Sequence, residues 1–397
     1  MEDKKYLQFM KEISFLLEQH NITHHFIGTS SLWLQNVEIQ HLNTVYIEVQ
    51  WDALDQTYEL FQSMKCTEIE KNETTAFYKV IFDSCTIHIE CNYNTTIKTE
   101  PYRIQIEKGN QLFWCISLYK YIYYDHSLIQ HTNSIHHYLE NRQQIMTKQN
   151  EDAWNQNNYI ALINRYGSPD DVAEKIRQNP KWRLHPFYQY ISPLKNKKVL
   201  HLMGSNGIKA VAMSLLGADV TVVDFSRENE AFAKSIAKAA NVNLTYVVSD
   251  VLSFPIEQYR ETFDVVLMEL GVLHYLIDLI PLMKKINQLL RQNGRFVLHE
   301  FHPISTKLIT STGKKHKVTG NYFEPSNEKN AVAFTKHMPD EEKMKLSQVL
   351  QRKWTLGEVI TSVGQANLFI ETLEEEPNHK LTDIGLPKTF SLVSKKL

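Results

Sequence analysis

The residues best suited to chemistry stand where short apolar runs end. The stretch HLMGSNG, His201 to Gly207, follows KNKKVL and precedes the helix-like IKAVAMSLLGA. A strand that ends in a glycine turn at a helix N-terminus gathers free backbone N–H groups, which suits an anionic or polar ligand. Asp224 closes the next run, DVTVVDF, 17 residues after Gly207. An acidic side chain there can accept hydrogen bonds from both ribose hydroxyls of a nucleoside cofactor. A third run ends in Ser249-Asp250-Val251 and sets a second carboxylate on the same edge, where open α/β sheets bind ligands. The loop must bring its backbone close to the ligand and tolerate φ > 0. Gly204 and Asn206 are expected to supply the unusual φ, Ser205 is small, and Gly207 leaves room for the approach.

The elements that must hold these residues follow from the hydropathy rhythm. From Lys195 onward, KKVLHLM, DVTVVDF, LTYVVSD, FDVVLME and RFVLHEF alternate with segments of helical period, which argues for a parallel sheet covered on both faces. The earlier chain differs. Residues 4–20 form an amphipathic helix, then HHFIGTSSLWL, TVYIEVQW, AFYKVIFD and CTIHIECNY read as strands, with one helix from Ala53 to Met64. Residues 111–140 read as aromatic-rich helix. The polar run Asn141 to Asn158 lacks periodicity and is expected to be a linker. The boundary then falls near residue 148, giving a smaller α+β domain (1–148) and an α/β domain (149–397). Asn150 to Tyr190 suits a helical lid, whose Tyr159, Arg165, Trp182 and Arg183 either face a ligand or pack within the lid.

Composition sets the frame. A chain of 397 residues favours two domains. The formal net charge of -2 offers no global attraction to nucleic acid or acidic membranes. No apolar run is long enough to cross a bilayer, and the start MEDKKYLQF lacks the apolar core of a signal peptide, so a cytoplasmic location is expected. The four cysteines form no CxxC pair, so no metal site is expected. Cys85 and Cys91 read as small buried apolar residues.

The motifs resemble a class I S-adenosylmethionine-dependent methyltransferase. VLHLMGSNGIKAVAMSLLGADVTVVDFS, SDVL and MELGVLHY carry the resemblance, which covers roughly residues 150–397 and includes TFSLVSKKL as the last strand of the fold's antiparallel hairpin. It implies a Rossmann-like domain with a seven-stranded mixed sheet. It also implies that Gly204, Ser205, Asn206 and Gly207 line the cofactor, that Asp224 holds the ribose and that Phe225 lines the adenine pocket. Asp250 would meet the adenine amino group beside Val251, and Glu269 and Leu270 would lie beside the methionine part. The family's loop has an acidic residue and then glycine at alternate positions. Here those positions are His201, Met203, Ser205 and Gly207, which leaves the cofactor's amino group without one usual carboxylate. A dinucleotide-binding oxidoreductase is the rival reading, but GSNGIK places Asn206 and Lys209 where that motif needs glycines.

Methyl transfer from a sulfonium is an in-line displacement that requires alignment and exclusion of water, with a base only where the nucleophile must lose a proton. His274 and Tyr275 follow the fourth strand and His302 follows the fifth. These are the candidate catalytic residues, the alternative being that they cap and pack local turns. The long insertion before Trp354 carries Lys314-Lys315-His316-Lys317, suited to phosphate or RNA or else a solvated loop. A small-molecule acceptor is expected, with RNA or a nucleotide as the alternative.

Residues 4–140 resemble the nucleotidyltransferase superfamily more loosely. Gly28 and Ser30 match its phosphate-holding turn, but the carboxylate pair of the next strand reads Tyr46 and Glu48, with Glu90 at the third position. Loss of one carboxylate weakens a Mg²⁺ site. This implies a degenerate module that serves recognition. The alternatives are a bifunctional enzyme that still transfers nucleotides and a non-enzymatic cofactor sensor.

Overall fold

The computed structural model describes residues 3–83, 85–312, 315–325, 327–343, 345–378 and 385–397. The chain divides into two compact units, Met1–Asn141 and Arg142–Leu397.

Unit one opens with the helix Asp3–Gln19 and holds an eight-stranded sheet. Its strands are β1 (His24–Phe26), β2 (Thr44–Val49), β3 (Lys65–Cys66), β4 (Glu70–Lys71), β5 (Thr75–Ile81), β6 (Thr86–Asn92), β7 (Arg103–Lys108) and β8 (Gln111–Ile116). They run β3-β5-β6-β2-β1-β8-β7, with β4 paired to β5. Period-2 alternation buries Val45, Ile47 and Val49 of β2 with Ile87, Ile89 and Cys91 of β6. Tyr46, Glu48, His88 and Glu90 take the opposite face. Two expectations fail here. The segment after Phe26 is a helix, Gly28–Leu34, because Gly28 at φ +58 turns the chain out of the strand. QLFWCI is strand β8, paired antiparallel with β7, and helix begins only at Leu118.

The expected linker is also helical: Thr132–Trp154 is one helix of 23 residues. Its buried stripe is Ile135, Leu139, Gln143, Met146, Asn150 and Ala153, spaced by three and four. Two members are polar, so apolar periodicity alone does not reveal it. Each serves main chain instead of a core. Gln143 donates to Tyr275 O (3.0 Å) and accepts from Ile277 N (2.7 Å), and Asn150 makes the same paired contacts with Leu350 (3.0 and 2.7 Å).

Unit two is built on seven strands in the order β11-β10-β9-β12-β13-β19-β18. These are β9 (Lys198–Leu202), β10 (Asp219–Asp224), β11 (Thr245–Val248), β12 (Phe263–Glu269), β13 (Leu290–Phe301), β18 (Leu368–Pro377) and β19 (Pro387–Lys396). β9 to β13 are parallel and β19 runs antiparallel between β13 and β18, a Rossmann-like mixed sheet. The parallel strands are buried on both faces. Val199, Val220, Val222, Val265 and Leu267 pack with Val211, Met213, Phe232 and Ile236 of the helices Ile208–Leu215 and Arg227–Ala240. Leu200, Leu202, Val223 and Val266, at alternate positions, are buried as well. Strand order reverses beside β9, so a crevice opens at the carboxyl ends of β9 and β12. The insertion after β13 forms two hairpins, β14 (Ile309–Thr312) with β15 (Lys315–Val318) and β16 (Asn327–Ala331) with β17 (Gln348–Arg352). Val332, Phe334, Met338 and Val349 of the insertion share a small core with Ala153, Ala161 and Tyr275. No described helix is long and apolar enough to cross a membrane.

A fragment that starts at Gln149 loses Gln143 and strands two main-chain groups at Tyr275 and Ile277. Fragment 149–397 should unfold at lower urea concentration than fragment 132–397, by about 1–3 kcal/mol in stability. Coincident transitions would show that the helix contributes nothing there.

Candidate active site

Two cavities of about 440 and 360 Å³ open at the carboxyl edge of β9 to β12. Ser205, Asp224, Phe225, Asp250, Val251, Glu269 and Leu270 line the larger one, together with His274 and Tyr275. Gly204, Ser205 and Asn206 line the smaller one. Tyr166, Ser205, Lys209 and Glu269 belong to both.

The loop departs from expectation in how it uses its residues. Positive φ falls at Met203 (52°), Ser205 (48°) and Gly207 (73°), and at neither Gly204 nor Asn206. These are the alternate positions at which the family pattern has glycine. Met203 and Ser205 therefore hold a left-handed conformation that L side chains disfavour. Gly204 is needed for packing: a Cβ there would lie 2.8 Å from both His201 Nδ1 and Val222 Cγ1. Asn206 accepts from Ile208 N (3.1 Å) and so caps the following helix. Gly207 lines neither cavity. Its missing side chain faces Ala233, whose Cβ would be 2.5 Å away, so this glycine serves loop–helix packing, not approach to a ligand.

The Asp224 carboxylate ties the edge together. It accepts from Ser205 N (3.1 Å), Ser226 N (2.9 Å) and Asn229 Nδ2 (3.2 Å). Burial pushes its pKa up, and the three hydrogen bonds oppose that. Oδ2 takes only one of the three donors, so acceptor capacity remains toward the cavity. From below, Tyr246 donates to Ser205 O (2.7 Å). Burial raises the Asp250 pKa, opposed chiefly by the N–H of Leu252.

Glu300, on β13, does for the opposite wall what Asp224 does for the loop. It is buried and accepts from the main-chain N–H groups of Gly271 (2.6 Å), Val272 (2.9 Å), Leu273 (3.1 Å) and Phe301 (2.7 Å). The next two residues are His274 and Tyr275. Burial, with repulsion from Lys353, pushes the His274 pKa down to about 4, so its imidazole is neutral at pH 7. The Tyr275 hydroxyl accepts from Trp154 Nε1 (3.1 Å), and burial raises its pKa to about 12. His302 does not join them. It is buried and lines neither cavity; its Nδ1 accepts from Ile304 N (3.1 Å), which leaves Nε2 to donate to Glu375 (2.7 Å). Both ring nitrogens are spent on holding the turn.

Of the lid residues, Arg165 lines the larger cavity, stacked 4.6 Å over the Tyr166 ring, and Trp182 and Arg183 line the smaller. Tyr159 packs on Phe232 in the core. The insertion reaches the larger cavity through Ala331, Ala333, Lys336 and Gln351. Lys315 and Lys317 sit exposed on their hairpin away from both cavities, and Lys314 lies outside the described residues. Sequence reading missed Trp154, Tyr166, Lys209 and Phe301. Lys209 carried a signal, since it stands one residue into a helix that starts at the sheet edge. Among the described residues no three His, Cys, Asp or Glu side chains meet as metal ligands would.

Gly207→Val adds a clash with Ala233 to left-handed strain. It should cost roughly 2–4 kcal/mol of stability, read from chemical denaturation. An unchanged midpoint would show that the loop relaxes freely.

Residues 202–298 match the family model of a methyltransferase domain. A stretch of 102 residues is 31% identical to the ubiquinone biosynthesis O-methyltransferase of Pelagibacter ubique (strain HTCC1062), covering 26% of this chain. The match spans 41% of that relative's length. Among solved structures, the chain is similar to an S-adenosylmethionine-dependent methyltransferase from Mesorhizobium loti, at 18% identity and a TM-score of 0.44, over 54% of this chain and 97% of that one. It is also similar to magnesium protoporphyrin IX methyltransferase from Synechocystis PCC 6803, at 13% identity and a TM-score of 0.38, over 62% and 97% of the two chains. With Asp224, Asp250 and Glu269 gathered around one cavity at or just beyond the ends of parallel strands, residues 202–298 carry a methyltransferase domain.

Proposed function

We propose that the protein transfers the methyl group of S-adenosylmethionine to a small-molecule acceptor, with donor and acceptor meeting in the larger cavity of unit two. One observation carries this reading: the strand-end residues suited to the donor share that cavity with His274, Tyr275 and a wall of Trp154, Tyr166 and Phe301. Asp224 takes the ribose hydroxyls on its remaining lone pairs. Phe225 and Val251 flank the adenine, with Asp250 accepting from its amino group. The bound donor supplies an electrophilic methyl carbon on a sulfonium.

The acceptor end is aromatic, with Arg165 and Lys336 as its cations. That lining favours a flat, anionic small molecule over a polynucleotide, which would need a longer basic track. An oxygen acceptor, as in the named O-methyltransferase relative, suits a neutral His274 that can accept a hydrogen bond from the acceptor hydroxyl and orient it. Tyr275 keeps its own proton at neutral pH and can donate a hydrogen bond to the acceptor.

The nucleotidyltransferase likeness of unit one rests on the Gly28 turn and on parallel β2 and β6, which pair Glu48 with Glu90 in register. We read it as a module without nucleotidyl transfer. Ser30 is buried and bonded to Tyr6 (2.8 Å) and Tyr46 N (2.9 Å), leaving no phosphate cradle. Burial favours a protonated Glu48, but hydrogen bonds from His25 (2.9 Å) and Asn92 (2.8 Å) outweigh it and lower its pKa. Those donors occupy the lone pairs that a metal would use.

Two tests follow. Hydrogen bonds to charged groups contribute roughly 1.5–3 kcal/mol each, so Asp224→Ala should weaken S-adenosylmethionine binding at least about tenfold in calorimetry, and NAD should not compete. Equal affinity in a folded variant would remove the donor assignment. In unit one, the wild-type protein should show no strong Mg²⁺ site in magnesium titration, because His25 and Asn92 hold the Glu48 oxygens, and Tyr46→Asp tests whether a second carboxylate restores one. A variant that takes up no Mg²⁺ would end the residue-by-residue correspondence.

A further inference from the structure

The first residue of the loop, where the family pattern carries a carboxylate, is withdrawn from the ligand. The His201 side chain is 1% exposed, lines neither cavity and has no hydrogen-bond partner on either ring nitrogen. It lies beneath Gly204, and burial keeps it neutral, with its pKa near 3. A carboxylate stands beside it on the neighbouring strand β12. β9 and β12 pair Leu267 with His201, which puts Glu269 two residues further along β12, with its Oε1 3.7 Å from His201 Nε2. Glu269 is ion-paired with Lys209 of the helix that follows the loop. The two side chains are only 12% and 24% exposed, and both line both cavities.

We propose that Glu269 and Lys209 together form the seat for the amino-acid end of the methyl donor, Glu269 accepting from its ammonium and Lys209 donating to its carboxylate. This rests on the donor reading above. A zwitterion presents opposite charges on adjacent carbons, and a contacting Glu–Lys pair is the complementary arrangement. Insertion exchanges one ion pair for two, in a site dry enough for each to count. The spacing agrees. Asp224 ends β10 and Glu269 ends β12, with β9 between them, so the ribose and amino-acid sites are two strand spacings apart, about 10 Å. An extended thioether arm bridges such a gap. The helix thus supplies a cation that holds the pair ready, and the carboxylate missing at position 201 reappears on the neighbouring strand.

The test compares two neutral thioethers by calorimetry: S-adenosylhomocysteine, which has the amino-acid end, and 5′-methylthioadenosine, which lacks it. Lys209→Met and Glu269→Gln should each weaken S-adenosylhomocysteine about tenfold or more, leave 5′-methylthioadenosine within about twofold, and Lys209→Arg should restore most of the loss. Unfolding midpoints near the wild type certify the variants as folded. If Lys209→Met alters neither ligand, or both equally, the pair is a structural tie and the seat is refuted. A wild-type protein that binds neither thioether removes the donor reading and the seat with it, whereas loss of both ligands in Asp224→Ala with selective loss in Lys209→Met supports each separately.

Discussion

Parallel strands that stop at an open edge leave main-chain N–H groups without partners, and the active edge of this protein is organised by two carboxylates, Asp224 half-buried and Glu300 buried, that take them up. An unpaired buried N–H costs about 1–3 kcal/mol, so each carboxylate fixes the segment it serves. Asp224 binds the N–H groups of Ser205 and Ser226 and thereby sets the loop against the helix Arg227–Ala240. Glu300 gathers four N–H groups and sets the turn that presents His274 and Tyr275. Their tasks differ in one respect. Asp224 keeps lone-pair capacity toward the cavity, whereas Glu300 is buried and its oxygens are spent on main chain.

The strand–helix alternation of unit two was legible because buried parallel strands write continuous apolar runs. Asp224 and Glu269 were legible as carboxylates closing β10 and β12, and Asp250 as one just past β11, where an open α/β sheet has its crevice. The helix Thr132–Trp154 was not, because Gln143 and Asn150 occupy core-facing positions to satisfy main chain in other segments. No local pattern announces a partner more than a hundred residues away. For His302 the structure favours the second of the two readings its sequence allowed, a turn-holding role, because its ring nitrogens meet Ile304 and Glu375.

Glycine usage shows a subtler limit. The sequence marks Gly204 and Gly207 as special, but both are required by neighbours, His201 with Val222 and Ala233 respectively. The backbone conformation usually credited to glycine is borne here by Met203 and Ser205 as well. The loop keeps its alternating left-handed geometry after losing two glycines, at the cost of local strain that Tyr246 and Asp224 hold in place. Lys209, which counts against a dinucleotide motif in the sequence, is the one lysine or arginine among the described residues that lines both cavities. In unit one, the carboxylates that would define a metal centre are engaged by His25, Asn92 and His88.

A crystal structure of the full chain with S-adenosylhomocysteine tests the central claim directly. The account predicts density at the carboxyl edge of β9 to β12, with both ribose hydroxyls on Asp224, the adenine between Phe225 and Val251, and the amino-acid end against Glu269 and Lys209. Ligand density elsewhere, or a ribose that does not touch Asp224 at full occupancy, would contradict it.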